Sequence, residues 1–297
     1  MLEPRVVLVT RQTELDRLLE NHATLGQAEV FLKQRGQSLE QLQAAKNLQV
    51  RTVYKAKQSI PDEWSIAEVH REGLDRFLFA QGDIVIAIGQ DGLVANLAKY
   101  LNGQPVIGIT PDAEQTEGVL TPITVDALPK LVLLAAAQEA DIEHRTMVEA
   151  RLSDGQRLAA LNELFVGHRS HQSARYMVNF DNREEYQSSS GMIVSTGTGL
   201  TGWARSIMTT THRQVAFAPD DSRAVYFARE PWPSKISGCE LVFGEITRSI
   251  EISLTSRMNE GGVVFADGIE QDFMRFDWGN TVNTGLSEKT LNLVQKS

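Results

Sequence analysis

Residues 82–110, GDIVIAIGQDGLVANLAKYLNGQPVIGIT, decide how the first part of the chain folds. Ile84, Val85, Ile86, Ala87 and Ile88 form a short apolar run rich in β-branched side chains. Such a run predicts a strand buried on both faces, as in a parallel sheet. It stops at Gly89, Gln90, Asp91 and Gly92. From Leu93 the period becomes helical, with Leu93, Val94, Leu97, Ala98 and Leu101 on one face and Asn96 and Lys99 outside it. Asn102-Gly103 ends the helix, and Pro105 to Ile109 reads as a second strand. The result is a β-loop-α-β unit whose loop sets Gly89 and Gly92 around one carboxylate, Asp91. In open α/β sheets, ligands sit beyond the carboxyl ends of the strands, where backbone N–H groups and a helix N-terminus favour anions. Asp91 either faces such a ligand or caps the helix.

Outward from this unit, Arg5 to Thr10 (RVVLVT) reads as the first strand, and Thr13 as the cap of a helix from Glu14 to about Asn21. A second helix carries Ala28, Phe31 and Leu32 up to Gly36. Ser38 and Gln41 fit a capping box for a third, ending near Asn47. Val50 to Lys55 resembles a strand, and Trp64 to Ala80 an amphipathic helix with Ile66, Val69, Leu74, Phe77 and Leu78 on one face. Thr110 to Thr121 is polar and loop-like. Pro129 opens a helix over about Ala127 to Ala140.

Beyond that helix come short alternating segments with turn signals. Arg145 to Leu152 and Gln156 to Val166 flank Asp154-Gly155, a hairpin signal. Tyr176 to Phe180, Met192 to Thr196, Val215 to Ala218, Ala224 to Ala228, Glu240 to Ile246, Ile250 to Thr255, Val263 to Ala266 and Phe273 to Phe276 continue the pattern. The expected organisation is an α/β domain over residues 1–125 and a β-rich domain over residues 126–297.

With 297 residues, 42% apolar and 23% charged, the chain has room for two domains with real cores. A net charge of −9 argues against a general nucleic-acid binder. Cys239 is the one cysteine, so no disulfide framework or cysteine-rich metal site is expected. No apolar stretch reaches membrane-spanning length, no signal pattern opens the chain, and the expected setting is a reducing cytoplasm.

Four motifs carry polar chemistry. Asn162-Glu163 interrupts the apolar stretch from Ala159 to Val166, either at a strand edge or as a carboxylate–amide pair gripping vicinal sugar hydroxyls. Ser195 to Gly202 (STGTGLTG) contains G-x-G-x-x-G, but the β segments after residue 212 exclude a Rossmann fingerprint. A Gly/Thr turn closing on a nucleotide remains open, with Trp203 stacking on a base or plugging the core. Asp267-Gly268 is a turn or a second carboxylate at a strand end. His168 and His171 lie in a polar loop without a third ligand nearby, and no metal site is expected there.

The order of these motifs — G-x-D-G loop, Asn-Glu, S-T-x-T-G turn, late Asp-Gly — resembles the NAD kinase family from about Val7 to Val294. VTRQTELDRLLENHATLGQA, GITPDAEQTEG and the tryptophan of TGTGLTGW resemble the diverged branch that includes the mitochondrial NAD kinases. The resemblance implies a Rossmann-like N-terminal domain, a β-sandwich-like C-terminal domain and a nucleotide site between them. It implies phosphorylation of the 2′-hydroxyl of NAD by ATP or polyphosphate with Mg²⁺ in a homodimer, while composition and charge give the expectation of a cytoplasmic protein without nucleic-acid or membrane partners. Asp91 corresponds to the catalytic base. Gly89 and Gly92 flank it, Asn162 and Glu163 hold ribose hydroxyls, Thr198, Gly199, Thr201 and Trp203 border the adenine or nicotinamide side, and Ser190 is a further cofactor-binding position. Asp267 corresponds to the late Asp-Gly. Gln90 and Leu93 depart from the family's G-G-D-G-T loop, and Ser190 stands where most members have aspartate. Two alternatives follow: a dinucleotide sensor that has lost its donor site, and a kinase acting on a sugar or lipid hydroxyl.

Overall fold

The computed structural model describes residues 3–22, 24–112 and 118–296. The chain forms two compact units, residues 1–143 with 292–297 and residues 144–291. The first thus runs past the boundary expected near residue 125 and takes back the chain's end.

In the first unit, β1 (Arg5–Thr10) leads to α1 (Glu14–Asn21), α2 (Leu25–Lys33) and α3 (Leu39–Gln58). The Thr13 side chain accepts from the Asp16 N–H, and the Asp16 carboxylate accepts from the Thr13 N–H, a complete capping box. β2 (Ser65–His70) follows, then a 3₁₀ turn over Arg71–Arg76. After it come β3 (Ile84–Ile88), α4 (Asp91–Ala98), β4 (Pro105–Ile109) and α5 (Leu128–Ala136). The strands are parallel in the order β2-β1-β3-β4. Every residue of β3 is buried, as its unbroken apolar run requires. Pro129 lies in the first turn of α5.

Two expectations fail here. Val50 to Lys55 is helical, because α3 buries Thr52 and Ala56 four residues apart while Val50 and Tyr54 face outward. The β-branched run lost to the helical environment on either side of it. Trp64 to Ala80 is not a helix. Its start forms edge strand β2, in register from Arg5↔Ser65 to Thr10↔His70. Only Val69 of β2 is buried, so the alternation was weak and the more distant apolar residues imitated a helical period.

The second unit is built on β5 (Ile142–Leu152), β6 (Arg157–Ala160), β7 (Glu163–His168), β8 (Ala174–Phe180), β9 (Arg183–Ser189) and β10 (Met192–Thr196). After α6 (Trp203–Thr211) come β11 (Ala224–Ala228), β12 (Phe243–Ile246), β13 (Ile252–Ser256), β14 (Gly262–Ala266), β15 (Phe273–Arg275) and β16 (Thr281–Val294). One antiparallel set runs β16-β13-β8-β9, and a second sheet runs β12-β11-β10-β7-β14-β15. Tyr176, Val178, Ile252 and Leu254 of the first pack with Leu164, Val166, Val194 and Val264 of the second in one apolar core. β10 and β11 are antiparallel, which removes the βαβ context that a Rossmann fingerprint needs.

Three elements were illegible. β9 buries Gln187 and Ser189, whose partners are the Leu241 carbonyl and the Tyr176 hydroxyl, so its inward positions are polar. The threonines of α6 turn their hydroxyls onto the carbonyls of Arg205, Ser206 and Ile207, a use of Thr that propensity undervalues. β16 mixes Asn283, Gly285 and Glu288 into a strand of 14 residues. Conversely, Val215 to Ala218 joins no strand; Val215 and Phe217 pack against Leu200 and Phe227 from a loop. Among the described residues no helix is long and apolar enough to cross a membrane.

Candidate functional site

The Gly89–Gly92 loop follows the carboxyl end of β3, and Asp91 is the first residue of α4. Its carboxylate caps no helix end. Oδ1 accepts the Leu120 N–H at 3.0 Å, the Thr121 N–H at 3.1 Å and the Thr121 hydroxyl at 3.1 Å, while Oδ2 accepts the Val119 N–H at 2.9 Å. Residues 119–121 are therefore folded onto Asp91. Two glycines permit this approach. A Cβ on Gly118 would stand 2.9 Å from Asp91 Oδ1 and 2.3 Å from the Thr121 hydroxyl, and one on Gly108 would stand 1.9 Å from the Leu120 carbonyl. A carboxylate offers about four acceptor positions, so Oδ2, with a single donor among the described residues, keeps one open toward them.

Gln90 is exposed in an extended conformation (φ −106°), and its side chain does not cap α4. Leu93 is buried with its Cδ2 under Gly89, so position 93 is a packing position rather than a lost hydroxyl on the loop surface. Gly92 has open space around it. Residues 113–117 of GITPDAEQTEG lie outside the described residues.

In the second unit, the ends of β7, β10 and β14 converge. Asp267, just past β14, adopts a left-handed conformation (φ +51°), tolerable for aspartate. This turns its carboxylate back onto the Leu161-Asn162-Glu163 turn, where it accepts three backbone N–H groups at 3.1, 2.7 and 3.3 Å. From the other side, the Thr196 hydroxyl donates to the Leu161 carbonyl, and the Thr196 N–H donates to the Asn162 carbonyl at 2.9 Å. A Cβ on Gly199 would come 2.2 Å from that same carbonyl, so the Gly/Thr turn closes here only because position 199 has no side chain. The Thr198 hydroxyl lies 3.4 Å from the buried Arg145 guanidinium, and the Thr201 hydroxyl donates to the Thr198 carbonyl.

The backbone of Asn162 and Glu163 is thus fully held, whereas their side-chain ends have no hydrogen-bond partner among the described residues. Glu163 is buried, and burial, reinforced by the nearby Asp267 charge, pushes its carboxyl up to about 7. An ionisable group that is buried, unpartnered and rigidly presented is a binding-site feature. Arg145 was missed by sequence reasoning; its signal was an arginine directly before the buried run from Thr146 to Val148.

Phe165, two residues along β7 from Glu163, lies on the same sheet face. Trp203 stacks on it (centroids 5.8 Å apart, planes 12° apart), and Phe165 in turn stacks on Phe265. The Arg229 guanidinium lies 5.0 Å from the Trp203 ring. These residues line a cavity of about 570 Å³ with Ser190 and His168 on its wall. The structure therefore gathers Asn162, Glu163, Thr198, Gly199 and Asp267 in one cluster, and Ser190 with Trp203 in the aromatic cleft. Asp91, Gly89 and Gly92 stand in the other unit. Thr201 is exposed at the end of the 3₁₀ turn over Gly199–Thr201 that precedes α6.

Among the described residues, no three metal-ligating side chains lie together. The described residues thus offer no ready-made cage for Mg²⁺.

No protein-family model matches the chain, and no curated protein matches its sequence. Solved structures do. A yeast NADH kinase complexed with NADH matches with a TM-score of 0.61 at 14% identity, over 99% of this chain and 84% of that one. An NAD kinase from Archaeoglobus fulgidus in complex with ATP matches with a TM-score of 0.59 at 18% identity, over 98% and 93%. With its N-terminal parallel α/β sheet and antiparallel β-rich second part, the chain has the fold of the NAD kinases.

Proposed function

We propose that the chain is an NAD kinase that transfers the terminal phosphoryl group of ATP or polyphosphate to the 2′-hydroxyl of NAD, giving NADP. The observation that carries this reading is the pair Asn162 and Glu163, two unpartnered polar side chains on a turn clamped by Asp267. An amide and a carboxyl side by side match the donors and acceptors of two ribose hydroxyls. With its carboxyl pushed up to about 7, Glu163 is present at neutral pH in both a proton-donating and an accepting form. Thr198, Gly199 and Thr201 border a base, Trp203 offers a stacking surface, and Ser190 lies at the edge of the same cleft. Gly92, with open space around it, leaves room for phosphate beside Asp91, and Gly89 opens the same loop.

In the transfer, the anhydride P–O bond of the donor breaks and a bond from phosphorus to the 2′-oxygen forms. The shortened donor leaves as an anion, and the hydroxyl proton passes to the open position on Asp91 Oδ2. Mg²⁺ enters as part of the donor. The mitochondrial-type branch, a homodimeric state and a cytoplasmic setting belong to the same proposal and rest on the sequence.

A second reading, a dinucleotide-binding protein without transfer, is favoured by one observation: Asp91 already accepts four hydrogen bonds from the segment after β4. Incubation with NAD, Mg²⁺ and ATP, then with polyphosphate, followed by an NADP-specific dehydrogenase, tests the choice. NADP in either tube supports the kinase. NAD binding without NADP supports the sensor.

A further inference from the structure

Three neighbouring parallel strands of the first unit end side by side. β1 and β2 are in register through Thr10↔His70, and β1 and β3 through Val9↔Ala87. The residues that follow are Arg11 after β1, Arg71 after β2 and Gly89-Gln90-Asp91 after β3. Arg11 reaches the loop: its Cδ lies 4.0 Å from where a Cβ on Gly89 would stand.

Several cations of this unit have carboxylate partners: Arg5 with Asp83 at 2.6 Å, Lys46 with Asp16 at 2.6 Å, Lys57 with Glu68 at 2.7 Å. Neither Arg11 nor Arg71 has a side-chain hydrogen bond or ion pair among the described residues. Arg11 is also half-buried. Burial holds its guanidinium below the usual arginine range, and repulsion from Arg17 and Arg71 outweighs attraction to Glu14 and Glu72. A half-buried cation with no anion of its own, beside a second such cation, is an unfilled place for a negative charge. Arg11 also lines a cavity of about 790 Å³ whose other wall includes Val50, Val53 and Tyr54 of α3. Of the charged residues that line it, Lys46 and Lys57 are paired with Asp16 and Glu68, and Glu20 accepts from Gln12, so Arg11 is the unpaired cation beside its apolar, aromatic side.

We propose that Arg11 and Arg71 form an anion site at the carboxyl end of the first unit's sheet, taking the phosphoanhydride chain of the phosphoryl donor beside the Gly89–Asp91 loop. Guanidinium groups suit this task, because each presents a planar fork of donors to phosphate oxygens. The identity of the ligand as donor rests on the kinase reading; the existence of the anion site does not. The site supplies positive charge that neither the exposed Gln90 nor the buried Leu93 can provide.

The test is calorimetric titration of the full chain with tripolyphosphate, with ATP and with NAD. Arg11→Gln and Arg71→Gln should each weaken tripolyphosphate binding by about tenfold or more, with NAD affinity and melting temperature unchanged. Arg11→Lys, which keeps the charge but loses the fork, should recover part of the loss. Tyr54→Ala separates the sources: weaker ATP but unchanged tripolyphosphate binding assigns the cavity to a nucleoside triphosphate, and no change in either assigns the site to the anhydride chain alone. Equal tripolyphosphate affinity in wild type and both Gln variants, or none in the wild type, overturns the site. The kinase reading fails separately. Tripolyphosphate binding through Arg11 without NADP formation removes that reading and keeps the site. NADP formation with an unchanged donor KM in Arg11→Gln removes the site and keeps the reading.

Discussion

Glu163 and Asp267 hold each other through the backbone. The Asp267 carboxylate accepts the Glu163 N–H at 3.3 Å, and the Asp267 N–H donates to the Glu163 carbonyl at 3.0 Å. The late Asp-Gly therefore aims the Asn162-Glu163 turn. Asp267→Ala leaves three N–H groups without their anion, and should destabilise the protein by about 1.5–3 kcal/mol and weaken NAD binding with it. Asp267→Asn tolerates the same left-handed backbone and keeps one acceptor oxygen, so it should lose less of both. Urea unfolding and NAD calorimetry on the two variants check the order; an Asn variant as impaired as the Ala variant would speak for a requirement for charge.

The Glu163 carboxyl titrates near 7 in the folded protein and near 4.5 unfolded. Between these values the folded state binds more protons, so this group's contribution is fully present below about pH 4.5 and is lost as pH rises through 7. The shift corresponds to about 3 kcal/mol. Relative to Glu163→Gln, the wild type should lose about that much unfolding free energy between pH 4.5 and 8. Parallel stability curves for the two proteins would contradict the assignment.

Trp203 is half-buried and rests on Phe165. Full truncation of a buried tryptophan costs about 3–5 kcal/mol, so Trp203→Ala should cost roughly half of that. The exposed part is free to stack on a base, which should weaken NAD binding by about 1–3 kcal/mol. NAD should also perturb tryptophan fluorescence in the wild type. Trp203→Phe, which keeps a ring on Phe165, should restore stability more than affinity.

The Asp91 clamp depends on Gly118. Gly118→Ala pushes a methyl into the Thr121 hydroxyl and Asp91 Oδ1, and should cost about 1–3 kcal/mol. Thr121→Val removes one of the four donors while keeping the backbone bonds, and should cost about 0.5–1.5 kcal/mol. Thermal melts of both variants read the difference; a Gly118→Ala protein as stable as the wild type would show that the segment can leave Asp91 freely.

The β3–α4–β4 unit was legible because its side chains obey one period at a time: five apolar residues in a row, then a helical stripe, then another apolar run. The antiparallel half was legible where the buried positions are apolar, alternating in β8 and unbroken in β14. It was not legible where the buried positions are polar, as in β9 with Gln187 and Ser189, because polar side chains in a strand look like surface. Asn162 and Glu163 stood out as a break in an apolar stretch, and the structure holds them together as their adjacency requires. What holds them was not visible, since the clamp from Asp267 joins residues 104–106 positions apart. Arg11 and Arg71 looked like ordinary loop arginines; only the register of β1 with β2 sets them side by side.

The central claim is that this chain phosphorylates the 2′-hydroxyl of NAD. Its most direct test supplies donor labelled at the terminal phosphorus, as ATP and as polyphosphate, with Mg²⁺ and either NAD or 2′-deoxy-NAD, and separates the products. Label should move to NAD and not to the 2′-deoxy analogue, and Asp91→Asn should slow that transfer by at least about 10²-fold with NAD affinity little changed. Bound NAD that never acquires label from either donor, or label appearing on 2′-deoxy-NAD, would contradict it.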